Sequence, residues 1–290
     1  MQGRNDRLQG GPRGIFVAFL GVLVVLLAMQ GALGASILSN NNSTISLNLN
    51  SSAGMTSWTV DGNNDVNQQW FWFRIGNGPQ FDISTISAPS ISTLGTKQLT
   101  AVYSNSFYSV TVSYQLTGGS LGSGHSALTE QINFNNLSPS TPLDLHFFMY
   151  SDFTLGGAPY ANSQNVALGT GTDFSTAVQT VSGTGFSNTI AMPFSPPNRV
   201  EAGMLPQLFN ELTTSNAWTL NGVQTAGPGH VTWGMEWDAS LGVLGSTNSS
   251  LGTISVTDTL QVPEPVTPAL ALLGLGLGLG VWRGSKKSSA

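Results

Sequence analysis

Through the middle of the chain, apolar side chains alternate with polar ones or gather in short runs, and turn residues interrupt them. Ile45, Leu47 and Leu49 alternate with Ser46 and Asn48. A period of two sends successive side chains to opposite faces of an extended strand. Val102 and Tyr103, followed by Tyr108, Val110, Val112 and Tyr114, predict two strands paired around Ser104–Ser106. Leu128, Ile132 and Phe134 continue the pattern, and Leu143–Tyr150 (LDLHFFMY) is apolar enough for a central strand. Val231–Trp237 and Ile254–Leu260 close the series. No long 3.6-residue period intervenes, and the fullest helical candidate is short, Met204–Leu212. Residues 156–200, rich in Gly, Ser, Thr and Asn with Pro193, Pro196 and Pro197, read as irregular structure or projecting loops. There is no internal repeat. The pattern predicts an all-β protein, an antiparallel β-sandwich or jelly-roll-like ectodomain over residues 36–260.

The two ends follow different rules. Residues 15–29 (IFVAFLGVLVVLLAM) are apolar, preceded by Arg4, Arg7 and Arg13 and followed by Gly31, Ala32, Gly34 and Ala35. Basic, apolar and small residues in that order predict a signal peptide over residues 1–35, cut by signal peptidase near Gly34–Ser36. The run is short for a spanning helix. At the other end, Val262–Pro265 (VPEP) precedes an uncharged stretch over 266–282 and a basic tail over 283–287 carrying Arg283, Lys286 and Lys287. The prolines predict an extended, accessible linker. The uncharged stretch could cross a bilayer as a Gly/Leu helix, its basic tail held on the cytoplasmic side.

Composition fits short strands with hydroxyl-rich outer faces. Only 8% of residues are charged, and 35 glycines mark frequent turns. Residues 36–262 hold Arg74, Lys97 and Arg199 against twelve acids, a balance of 3 − 12 = −9. Nucleic acid is excluded as a partner, because neutralising phosphates takes clustered cations. The absence of cysteine excludes disulfides, thiolate metal sites and thiol nucleophiles.

Pro263-Glu264-Pro265, the hydrophobic stretch and the short basic tail resemble the PEP-CTERM sorting signal, also labelled the ice-binding-protein C-terminal domain, a label from which no activity is taken. The resemblance covers residues 261–287. It implies recognition by an exosortase, a membrane transpeptidase acting near the Pro-Glu-Pro, in a Gram-negative bacterium that makes exopolysaccharide. The body, with QQWFWFRIG at Gln68–Gly76, LTGG at Leu116–Gly119, FFMYSDFTLGG at Phe147–Gly157 and GPGHVTWGMEWD at Gly227–Asp238, resembles PEP-CTERM proteins without assigned activity. That looser likeness implies no catalytic residues.

Several constellations could carry chemistry, and each has a plainer explanation. Gly118-Gly119-Ser120-Leu121-Gly122 matches the G-x-S-x-G nucleophile elbow, yet it lies between predicted strands, where a hairpin loop explains it. Asp61-Gly62-Asn63-Asn64-Asp65 opens like a calcium loop, but an EF-hand needs Gly and Glu where Val66 and Trp72 stand, so a turn is expected. Trp70 and Trp72 share one face of a strand and Phe71 and Phe73 the other; with Trp233 and Trp237 these tryptophans are candidate glycan-stacking residues, or core. Glu236 and Asp238 project together, opposite Trp233, Met235 and Trp237, as a glycosidase acid pair or a polar outer face would. His125, His146 and His230 share no ligand spacing. His146 could pair with Asp144, and a metal would need a further ligand brought by the fold; no metal or cofactor is assigned. The expectation is an exported, non-enzymatic cell-surface or matrix protein, with exopolysaccharide as a candidate associate. A carbohydrate-binding module, or less readily a glycan-active hydrolase, is the alternative.

Overall fold

A computed structural model describes residues 35–263. Residues 1–34 of the segment read as a signal peptide, Glu264, Pro265, the 266–282 stretch and the tail residues Arg283, Lys286 and Lys287 lie outside the described residues. Eighteen strands are described. They run β1 (Ser36–Asn40), β2 (Ser43–Asn48), β3 (Gly54–Val60), β4 (Asn63–Asn64), β5 (Val66–Ile75) and β6 (Phe81–Asp82). Next come β7 (Ser90–Leu94), β8 (Gln98–Ser104), β9 (Tyr108–Gly118), β10 (His125–Asn136), β11 (Leu143–Phe153) and β12 (Gln164–Thr170). The last are β13 (Asp173–Val181), β14 (Ser187–Ala191), β15 (Arg199–Met204), β16 (Thr225–Gly229), β17 (Val231–Leu241) and β18 (Ser250–Gln261). One short helix, α1 (Gln207–Leu212), falls inside the segment whose pattern predicted it.

The strands form two sheets. The first has the order β1-β2-β3-β5-β11-β17-β15, with β4 on β3 and β6 on β5; the second runs β16-β12-β13-β14-β18-β10-β9-β8-β7. The described pairings are antiparallel except for a short parallel contact between β3 and β5. The expected antiparallel sandwich is present. Alternation fixes its core: Val110, Val112, Tyr114 and Leu116 of β9 point inward beside Leu128, Ile132 and Phe134 of β10, all buried. Across the gap, Phe73 packs on Phe134 and Tyr108, at 5.9 and 5.4 Å between ring centres. Each such side chain buried contributes about 1.5–3 kcal/mol.

Two expectations are corrected. Residues 156–200 are not mainly loops: they supply β12, β13, β14 and the start of β15. Their inward positions include Gln164, Gln179 and Asn188, all fully buried, and these interrupt the apolar alternation that marks a strand. Val262 is not in an accessible linker. Its side chain is buried, and its N–H donates to the Gly124 carbonyl at 2.7 Å, so the folded core closes on that residue. Among the described residues no helix is long and apolar enough to cross a membrane.

Candidate functional site

The four candidate glycan-stacking tryptophans are core residues. Trp70, Trp72, Trp233 and Trp237 are at most 4% exposed. Strand β5 is central, and α1 covers its outer face, so even the outward Trp72 meets Tyr150 and Phe209 edge-on at 5.9 and 6.4 Å. Trp233 stacks flat on Phe153, and its indole N–H donates to Gln179 at 2.9 Å. The Trp237 indole donates to the Ser195 carbonyl. None of the four offers a face to a sugar ring.

Glu236 and Asp238 do share the outer face of β17, and the fold brings His146 between them. His146 Nδ1 lies 3.1 Å from Glu236 and 2.5 Å from Asp238, whereas the expected partner Asp144 is 3.9 Å from Nε2. Register explains this, because His146 of β11 stands directly opposite Asp238 of β17. The three groups could chelate a metal by geometry, all ligand atoms lying within 4.8 Å of one another. Charge argues otherwise. Arg74 and Arg199 approach Glu236 at 3.7 Å, Arg199 reaches Asp238 at 3.4 Å, and the Leu220 N–H donates to Glu236 at 2.9 Å. Burial pushes the Glu236 carboxyl up to about 7, with the Asp238 carboxyl beside it adding to the rise and the Leu220 bond and Arg199 opposing it. Fully buried and held by two guanidinium groups, Glu236 cannot meet a polymeric substrate; this network instead ties β5, β11, β15 and β17 together.

The other two motifs are structural. Ser120 sits in the connection between β9 and β10, with no helix following. Asp61 clamps that connection, accepting from Gly122 N–H at 2.7 Å, Gly124 N–H at 2.8 Å and the Asn42 amide at 2.9 Å. Asp65 turns the other way and accepts from Gly156 N–H at 2.7 Å. The two carboxylates therefore serve different loops, and the calcium-loop reading of residues 61–65 fails.

A cavity that no sequence pattern announced is the better candidate. It encloses about 520 Å³, within the range of small-molecule sites. Asn63, Asn64, Asn67, Thr154 and His230 line it, with the backbone of Gly156-Gly157 as one wall. His230 Nε2 contacts Asp152 at 2.8 Å, and the Asn67 amide reaches Asp152, Thr154 and His230 at 3.4, 2.5 and 3.5 Å. Gly156 is required here: its φ is +73°, and a β-carbon would stand 2.6 Å from the Tyr160 ring. Behind the wall, burial pushes the Asp65 carboxyl up to about 6, against the Gly156 hydrogen bond. Uncharged amides and a hydroxyl beside a His–Asp pair can order a neutral, hydroxyl-rich ligand. The only sequence signals were fragments already quoted, SDFTLGG and GPGH, whose residues meet only once β5, β11 and the β16–β17 connection are assembled.

No protein-family model and no curated protein matches the chain. Among solved structures, a bacterial glucoamylase complexed with acarbose is similar, with 13% identity, a TM-score of 0.55, 83% of this chain and 34% of that chain covered. This chain thus spans about a third of that enzyme's length. A GalM/aldose epimerase homologue from C. elegans has 9% identity and a TM-score of 0.46, covering 79% and 98%. A copper-containing benzylamine oxidase from Hansenula polymorpha has 8% and 0.42, covering 78% and 59%. The glucoamylase likeness establishes a shared β-sandwich fold, one that a carbohydrate-active enzyme also uses. A fold at this identity carries no activity with it.

Proposed function

We propose that this protein is exported, is processed by an exosortase-type transpeptidase near Pro263–Pro265, and acts as a non-enzymatic component of the cell surface or extracellular matrix. One observation supports it most: the core closes on Val262, one residue before the Pro-Glu-Pro, so a cut there severs no strand of the sandwich. The test compares the full chain with one stopped at Pro263 in the native host. The reading expects both to fold and only the full chain to be displayed at the surface. Equal display of both would count against it.

A second reading is favoured by the cavity at His230. Its polar lining suits a saccharide hydroxyl array, and the fold likeness includes an enzyme solved with acarbose. On this reading the sandwich associates with exopolysaccharide through that cavity, not through an aromatic platform. His230→Ala and Asn67→Ala then lower polysaccharide retention in protein that is still folded at the assay temperature; retention equal to the parent protein would reject the cavity as the site.

A further inference from the structure

Between the two sheets lies a set of polar groups that the preceding roles do not use. Glu130 of β10 and Asp258 of β18 are diagonal neighbours on the inner face, paired with Val256 and Leu128, and are 1% and 0% exposed. Gln69 of β5 reaches across from the other sheet, its Nε2 donating to Glu130 at 3.3 Å and Asp258 at 3.2 Å. Tyr114 stands directly opposite Glu130 on β9, and the Asn188 amide lies against Asp258 from β14. Among the described residues no Lys, Arg or His forms an ion pair with either acid. Two carboxylates in a dry interior without counter-charge are costly.

Their surroundings point to what offsets that cost. Asp258 Oδ1, Gln69 Oε1, both polar atoms of Asn188 and the Tyr114 hydroxyl are all buried without a hydrogen-bond partner. A proton shared by the acids would serve the carboxylates and leave Gln69 Oε1, Asn188 Oδ1 and the Tyr114 hydroxyl without partners. A cation of the calcium type takes six to eight oxygens. With the Gln69 amide turned over, so that Oε1 takes the place of Nε2 between the acids, its oxygen joins the four carboxylate oxygens, Asn188 Oδ1 and Tyr114 Oη as candidate ligands, and two negative charges match a divalent ion. Neither thiolate nor imidazole belongs to the set, which disfavours softer metals. We propose that Glu130, Asp258, Gln69 and Asn188 form an inter-sheet binding site for one hard divalent cation, which clamps the two sheets of the sandwich.

Because the site is closed in the folded protein, the ion must enter during folding. The full chain is denatured, then refolded in detergent with EGTA or with calcium chloride at about 100 times the dissociation constant, where binding raises the melting temperature by about 5–10 °C. Terbium, refolded in its place, should luminesce on excitation of the aromatic residues beside it. Asp258→Asn and Glu130→Gln keep side-chain size and should lose both responses, while Asp144→Asn, at an exposed acid, should retain them. Equal melting temperatures in calcium and EGTA would overturn the proposal in favour of a proton-sharing pair. So would a calcium shift that persists in Asp258→Asn and Glu130→Gln, which would place the ion elsewhere.

Discussion

A single methyl group added at Gly124 strikes the junction where the sandwich closes. Gly124 has φ of +68°, and a β-carbon there would lie 1.9 Å from the Val262 carbonyl oxygen and 3.0 Å from its carbon. Both atoms are backbone, so no rotamer change relieves the overlap. Holding an alanine in the left-handed region costs about 1–2 kcal/mol. Moving Val262 away breaks its hydrogen bond to the Gly124 carbonyl, worth about 1 kcal/mol. It also exposes a buried valine, at about 1.5–3 kcal/mol. Gly124→Ala should therefore destabilise the protein by about 4–6 kcal/mol. Gly122→Ala is the control: its φ is +79°, but nothing lies within 4 Å of the added carbon, so only the conformational cost applies. Denaturant titration followed by tryptophan fluorescence reads both, since the buried indoles report core exposure. If the two variants differ by less than about 1 kcal/mol, Val262 is not pinned and the reasoning fails.

Three further outcomes are expected. Asp65 has its carboxyl raised from 3.8 to about 6, so its protonated form is favoured by folding. Its contribution is full below about pH 4 and falls by about 3 kcal/mol as pH rises to about 6. Asp65→Asn should remove that decline, and equal pH slopes for variant and parent in denaturant titrations would refute it. Trp233→Ala should cost about 3–5 kcal/mol through lost burial and the cavity left beside Phe153. Trp72→Phe should leave polysaccharide retention unchanged; a specific loss of retention in a folded Trp72→Phe protein would return that tryptophan to a binding role.

How much was legible in sequence depends on what each inward position holds. Strands β9, β10, β11, β17 and β18 announce themselves because apolar residues such as Val110, Ile132, Phe147, Met235 and Val256 fill most of their inward positions, with Glu130 and Asp258 among the exceptions. Strands β12 to β14 do not, since Gln164, Gln179 and Asn188 occupy inward positions: Gln179 bonds Gln164 across the β12–β13 hairpin and accepts from Trp233, and the Asn188 side chain has no hydrogen-bond partner. The tryptophans were ambiguous for a related reason: a strand covered on both faces and a glycan platform use the same letters, and the difference lies in distant cover, α1 over Trp72 and Phe153 and Gln179 against Trp233. The acid pair on β17 was visible as i, i+2 spacing. Its partners were not, because Arg74, His146 and Arg199 arrive from three other strands. The His230 cavity was least legible, being assembled from residues between 62 and 230 in the chain.

The most direct test of the account is mass spectrometry of the mature protein isolated from its own host. Export with exosortase processing predicts a chain beginning near Gly34–Ser36 and ending near Pro263–Pro265, with or without an added group. A mature chain that still carries Leu270–Lys287 would contradict it, and the tail would then be an anchor with no sorting cut.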